Sequence, residues 1–208
     1  MKKHKQLSNL STFAFIIAFL LTSCSSIIGT NKLKQVDEKT ILHYAKKYNI
    51  NSTENYELDT AYFTFLKSFD TKLFKQQIKN HYPPLQALYY NKTGQLQSFQ
   101  INCYAGGFPN LKWNKNGIIK TFPPKQQAPL DTIISLKTQL KFLKPLSNTE
   151  KSTTNDYYYI VIIYWSKFMG RQSKRLIGFV QDNVKLATDK RVKIIYVNTD
   201  NFFADNLK

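Results

Sequence analysis

The segment Tyr157-Tyr158-Tyr159-Ile160-Val161-Ile162-Ile163-Tyr164-Trp165 is a nearly unbroken apolar run, and it constrains the fold more than any other feature of the chain. A strand with water on one side alternates apolar and polar residues. A continuous run of this length suits a strand covered on both faces, so other elements must pack above and below it. Leu176, Ile177, Val180, Val184 and Ala187 then mark one side of a helix expected over 172–188, and Val192-Lys193-Ile194-Ile195-Tyr196-Val197 reads as a second buried strand. Strand, helix and strand at this spacing predict a parallel, right-handed crossover unit.

Further upstream the apolar period is helical. Asp37-Glu38-Lys39 ahead of Ile41, Leu42, Ala45 and Tyr48 predicts a helix ending near Tyr48, with acidic residues at its positive pole. Residues 49–57 read as a polar loop. Leu58, Tyr62, Phe65, Leu66 and Phe69 repeat at three and four, and Leu73, Phe74 and Ile78 continue the stripe, giving one or two helices that Pro83-Pro84 stops. Residues 85–90 and 95–103 around Asn91-Lys92-Thr93-Gly94 predict a hairpin whose Gln97, Phe99, Ile101 and Cys103 face inward. Gly106-Gly107-Phe108-Pro109 breaks that pattern. Asn114-Lys115-Asn116-Gly117 marks a second turn, and 118–122 read as a further strand of an antiparallel meander. After the Pro123-Pro124 connector, Ile133, Leu136, Leu140 and Leu143 give the stripe of another helix.

The amino-terminal end sets an address. Met1-Lys2-Lys3-His4-Lys5 is basic, and residues 13–21 are an apolar run too short to span a bilayer as a mature helix, so residues 1–23 read as a signal peptide. Leu21-Thr22-Ser23-Cys24 resembles the lipobox of bacterial lipoproteins, which implies that the Cys24 sulfur takes the diacylglycerol and, with further acyl chains such as palmitate, anchors the mature protein. Residues 24–35 would be the lipidated tether. Ser25 and the absence of an acidic cluster behind it resemble the sorting signals of lipoproteins on the periplasmic face of an outer membrane; the outer leaflet of a single membrane is the alternative.

Tyr164-Trp165-Ser166-Lys167-Phe168-Met169-Gly170-Arg171-Gln172, together with Val197-Asn198-Thr199-Asp200, resembles the thioredoxin-like family. In that family an aromatic pair leads into Cys-x-x-Cys at a helix start, and the next strand ends in Asn-x-Asp. Met169 falls where the attacking cysteine should be and Gln172 where the resolving one should be. A thioether cannot ionise and an amide cannot be oxidised, so the family's redox chemistry is missing. The family continues with two antiparallel strands, a cis-proline loop and a closing helix, whereas eight residues follow Asp200. The hairpin at 85–103 is expected to cover the vacant sheet edge, lying against strand 192–197.

The expected fold class is therefore α+β, a thioredoxin-like βαβ unit in the carboxyl-terminal half with an antiparallel hairpin or meander and amino-terminal helices. Residues 36–128 hold the helices and meander, 129–208 the thioredoxin-like region, and 36–208 can form one domain. The leading functional expectation is a lipid-anchored, redox-inactive binding or accessory module of a bacterial envelope. Its candidate binding loop is Ser166, Lys167, Phe168, Met169, Gly170, Arg171 and Gln172, with a secondary loop of Tyr104, Gly106, Gly107, Phe108 and Trp113. Trp113 reads equally as a core anchor.

Two alternatives stand beside it. A thiol-disulfide oxidoreductase would have to use Cys103, which is expected to be buried and lacks a partner, or a second protein. Binding of lipopolysaccharide or another polyanion is suggested by charge. Loss of Lys2, Lys3 and Lys5 on cleavage takes the formal net charge from +17 only to +14, and Lys185, Lys190, Arg191 and Lys193 cluster in sequence. No lysine block or aromatic ladder points to nucleic acid. His43 and His81 read as surface or packing residues, and neither a metal nor a cofactor is called for. The implied partners are a membrane, through the lipid, and an envelope protein or peptide.

Overall fold

The computed structural model of the chain describes residues 29–50, 53–69, 71–107, 110–130, 133–147, 149 and 156–206. Its first half runs as helix α1 (Glu38–Lys47), strand β1 (Asn55–Leu58), helices α2 (Ala61–Lys67) and α3 (Thr71–Asn80), the hairpin β2 (Gln86–Asn91) and β3 (Leu96–Ile101), and the single turn α4 (Asn102–Ala105). A 3-10 segment (Lys115–Lys120) leads to α5 (Leu136–Lys141), β4 (Leu143–Pro145), β5 (Tyr159–Trp165), α6 (Gly170–Val184), β6 (Val192–Asn198) and α7 (Asp200–Asn206).

All six strands join one mixed sheet in the order β3-β2-β5-β6-β1-β4. The apolar run of β5 occupies its interior, parallel to β6 on one side and antiparallel to β2 on the other. Val161, Ile163 and Trp165 of β5 pack towards α1 and α6, against Ile41, Ala45, Leu176, Ile177 and Val180. Ile160, Ile162 and Tyr164 pack the other way, against Tyr62, Leu66, Ile78 and Phe202 of α2, α3 and α7. Covering both faces removes every β5 side chain but the first from water, at about 1.5–3 kcal/mol for each large apolar group. The molecule is thus a three-layer α+β structure. Among the described residues no helix is long and apolar enough to cross a membrane.

Several expectations are corrected. The segment expected as a polar loop contains β1, which pairs in parallel with β6. That pairing takes the edge assigned to the hairpin: β2 lies against β5 instead, so the hairpin is detached from β6. Residues 118–122 form no strand. Asn116 and Gly117 both take left-handed backbone angles, and the Ile119 and Thr121 carbonyls accept from the Asn183 side-chain amide of α6 rather than from a neighbouring strand. Leu143 belongs to β4 rather than to the α5 stripe, and α6 spans 170–184. On β3 both faces are covered, so Ser98 and Gln100 are buried with Phe99 and Ile101, while Gln97 is exposed. Cys103 is exposed as well, because the chain leaves the pleat at Asn102 and turns into α4.

Candidate binding site at the end of the central strands

β5 and β6 finish level with each other, Trp165 opposite Asn198. The loop that leaves β5 is fastened from below. The Asp200 carboxylate accepts from the backbone amides of Lys167 (2.6 Å) and Phe168 (3.0 Å) and from Asn198 Nδ2 (2.8 Å), while Asn198 Oδ1 accepts from the Asp200 amide (3.0 Å). Thr199 donates its amide to the Trp165 carbonyl (2.9 Å). Ser166 is buried: its amide donates to Ser173 Oγ (3.1 Å), which donates back to the Ser166 carbonyl (2.6 Å), and its own Oγ accepts from the Met169 amide (3.2 Å). Asp200 is 1% exposed, and burial pushes its pKa up against the opposing pull of these donors.

The same loop is strapped from above by residues expected to be a loose tether. Asn31 donates its amide to the Phe168 carbonyl and its side chain to the Lys167 carbonyl, both at 2.7 Å, and the Arg171 amide donates to the Gly29 carbonyl (3.2 Å). Further along, Val36 exchanges two hydrogen bonds with the Asn201 side chain on α7. Gly170 is the residue that permits the strap. It takes a φ of +39°, and a Cβ there would stand 2.5 Å from the Gly29 carbonyl oxygen. Gly170→Ala is therefore expected to dislodge residues 29–31 and to speed amide exchange at Asn31 on the order of tenfold or more, since left-handed strain alone costs about 1–3 kcal/mol. Unchanged exchange by NMR would refute it.

Of the candidate loop, Ser166, Met169, Gly170 and Gln172 are buried, Lys167 and Phe168 are half-buried, and Arg171 is exposed. The wholly buried Gln172 accepts from the Leu111 amide (3.3 Å), and Arg175 reaches Asn110 (3.4 Å), so α6 touches the chain that follows the secondary loop. In that loop Gly106 and Gly107 are exposed, and the half-exposed Tyr104 accepts from Gln76. Phe108 lies outside the described residues, as does Cys24 with its lipobox. Trp113 is a core anchor against Phe179, with ring centroids 6.5 Å apart.

The solvent face of this region is a cleft of about 480 Å³ between the strap, α1 and the start of α6. Lys32, Lys47, Arg171 and Lys174 line it with Tyr44 and Tyr48, and no carboxylate does. The Tyr44 ring has Lys47 Nζ 5.3 Å and Lys167 Nζ 5.4 Å from its centroid. Sequence reading missed this cleft because its cations lie far apart along the chain. The cationic residues singled out instead are elsewhere engaged: Lys193 is buried in an ion pair with Glu54 (2.9 Å), Lys185 pairs with Asp182 (2.6 Å), and Lys190 sits over Tyr159.

Of the two described histidines, His43 packs edge-on against the cleft residue Tyr44, with ring centroids 5.4 Å apart. His43 is exposed, whereas His81 is buried near Tyr62, Gln139 and Phe99 as a packing residue. Among the described residues no three potential metal ligands gather. The cleft and its clamped loop lie side by side at the end of β5 and β6. No family model matches the chain, and no match to it is found among curated proteins or solved structures.

Proposed function

We propose that the chain is a lipid-anchored protein of a bacterial envelope, most simply on the periplasmic face of an outer membrane, in which a redox-silent thioredoxin-like fold serves as a binding or accessory module. The observation that carries the reading is the pair Met169 and Gln172. Both side chains are buried at the positions where the resemblance requires cysteines, and one of them is engaged by the Leu111 amide. Neither can carry a thiolate to the start of α6.

The fold reading draws support from three features. A parallel β5-α6-β6 unit ends in Asn198-Thr199-Asp200, and its Asp200 clamps the loop at the helix start. The β2-β3 hairpin adds two antiparallel strands to the side of β5 away from β6. The anchoring reading rests on Leu21-Thr22-Ser23-Cys24 behind a basic, apolar leader.

Protein taken from its native membranes is expected to begin at an acylated Cys24 by mass spectrometry and to leave insulin disulfides unreduced. An intact, unacylated amino terminus would remove the anchor. Disulfide reduction that survives Cys103→Ala would replace the binding module with an enzyme.

A further inference from the structure

The cationic cleft borders the strap at Gly29, Asn31 and Lys32, and its position along the chain carries more than its charge. Lys32, Lys47, Arg171 and Lys174 share one concavity without a carboxylate. Like charges lining one cleft repel one another, so the arrangement favours an anion received among them. The first turn of α6 contributes in the same sense: its positive pole borders the cleft at Gly170 and Arg171, and no acidic residue sits in that turn.

The chain enters this cleft directly. Gly29 forms part of its wall, and five residues along from Cys24 can span at most about 18 Å. A lipidated Cys24 therefore holds the cleft beside the bilayer surface, and the strap bonds from Gly29 and Asn31 to the α6 loop fix which side of the domain is presented. Lys137 and Lys141 of α5 sit with the helices on the opposite face of the sheet.

We infer that this cleft receives the phosphate of an anionic phospholipid headgroup in the membrane that anchors Cys24. The inference rests on the anchoring reading and deepens it: the lipid chains hold the protein at the membrane, and the cleft sets its orientation there. Each basic residue brought to an anionic surface gains enough to change its partition about fivefold, so Lys32, Lys47 and Lys174 together orient the domain once diffusion is limited by the tether.

The test uses the mature protein recovered with its own acyl chains and reconstituted into vesicles of phosphatidylcholine alone or with one third phosphatidylglycerol. Flotation with the phosphatidylcholine vesicles reports the anchor. Acetylation rates of individual lysines, read by mass spectrometry, report the cleft. Lys32, Lys47 and Lys174 are expected to react about fivefold more slowly when phosphatidylglycerol is present, with Lys137 and Lys141 unchanged. In Lys47→Gln/Lys174→Gln, which alters only exposed side chains, the protection at Lys32 is expected to vanish. Equal slowing at all lysines would mean attraction by net charge alone and would overturn the inference while leaving the anchor intact. Protection reproduced by soluble glycerol phosphate on phosphatidylcholine vesicles would reassign the cleft to a free phosphate ester. Failure to float with phosphatidylcholine would remove the anchor and the headgroup assignment together.

Discussion

Asp200→Ala is expected to destabilise the protein by about 3 kcal/mol at neutral pH, because it leaves the amides of Lys167 and Phe168 without their acceptor in a place water does not reach. The pH dependence distinguishes this from simple loss of packing. Burial raises the folded-state pKa of Asp200 above its ordinary 3.8. A raised pKa means that the folded chain binds the proton more tightly, so this proton-linked part of the group's contribution is complete below about pH 3.8 and is lost as pH rises through the folded value, while the amide bonds remain at neutrality. The gap between wild type and Asp200→Ala should therefore be wider in acid than at neutrality. Urea midpoints at the two pH values check it, and a gap that narrows in acid would show that the carboxylate is not held in this way.

Lys193→Ala is expected to cost about 3–5 kcal/mol, since it removes the cation that the Glu54 carboxylate meets in a largely buried position. The two side chains are 4% and 13% exposed and meet at 2.9 Å, joining β6 to the residue just before β1. Removing both charges at once in Lys193→Met/Glu54→Leu should recover most of the loss, because a buried ion pair contributes little net stability over a well-packed apolar pair. The four denaturation curves of the double-mutant cycle measure this. A double variant as unstable as the sum of the single ones would mean that the two residues act separately.

What was legible in the sequence is what side chains encode locally. The β5 run announced a strand covered on both sides because nothing but full burial accommodates seven such residues in succession. α1 was legible from its cap: Asp37 accepts from the Thr40 amide at 2.8 Å, as its acidic start implied. β1 was not, since Asn55-Tyr56-Glu57-Leu58 has no apolar alternation. It becomes a strand because β6 offers it a ladder and Glu54 finds Lys193. The failed strand at 118–122 shows the converse. Its apolar residues fit a strand, but Asn183, far along the chain, satisfies the carbonyls that a neighbour would have paired.

The same reasoning applies to the site. The loop at 166–172 was singled out through its likeness to a known pattern, whereas the hold of Asp200 on the Lys167 and Phe168 amides is visible only in the structure. The strap escaped notice because it is built mostly from main-chain bonds, which any residues could make. Only Gly170, opposite the Gly29 carbonyl, carried a trace of it.

The strand order has a consequence for how the molecule comes into being. β5 and β6, which the sheet needs at its centre, follow the other four described strands along the chain, and β2 and β1 each take one of them as a second neighbour. Pairings this distant along a chain form slowly. The β2-β3 and β1-β4 pairs can each form early, but they stay two separate ribbons until β5 and β6 are made and join them into one sheet.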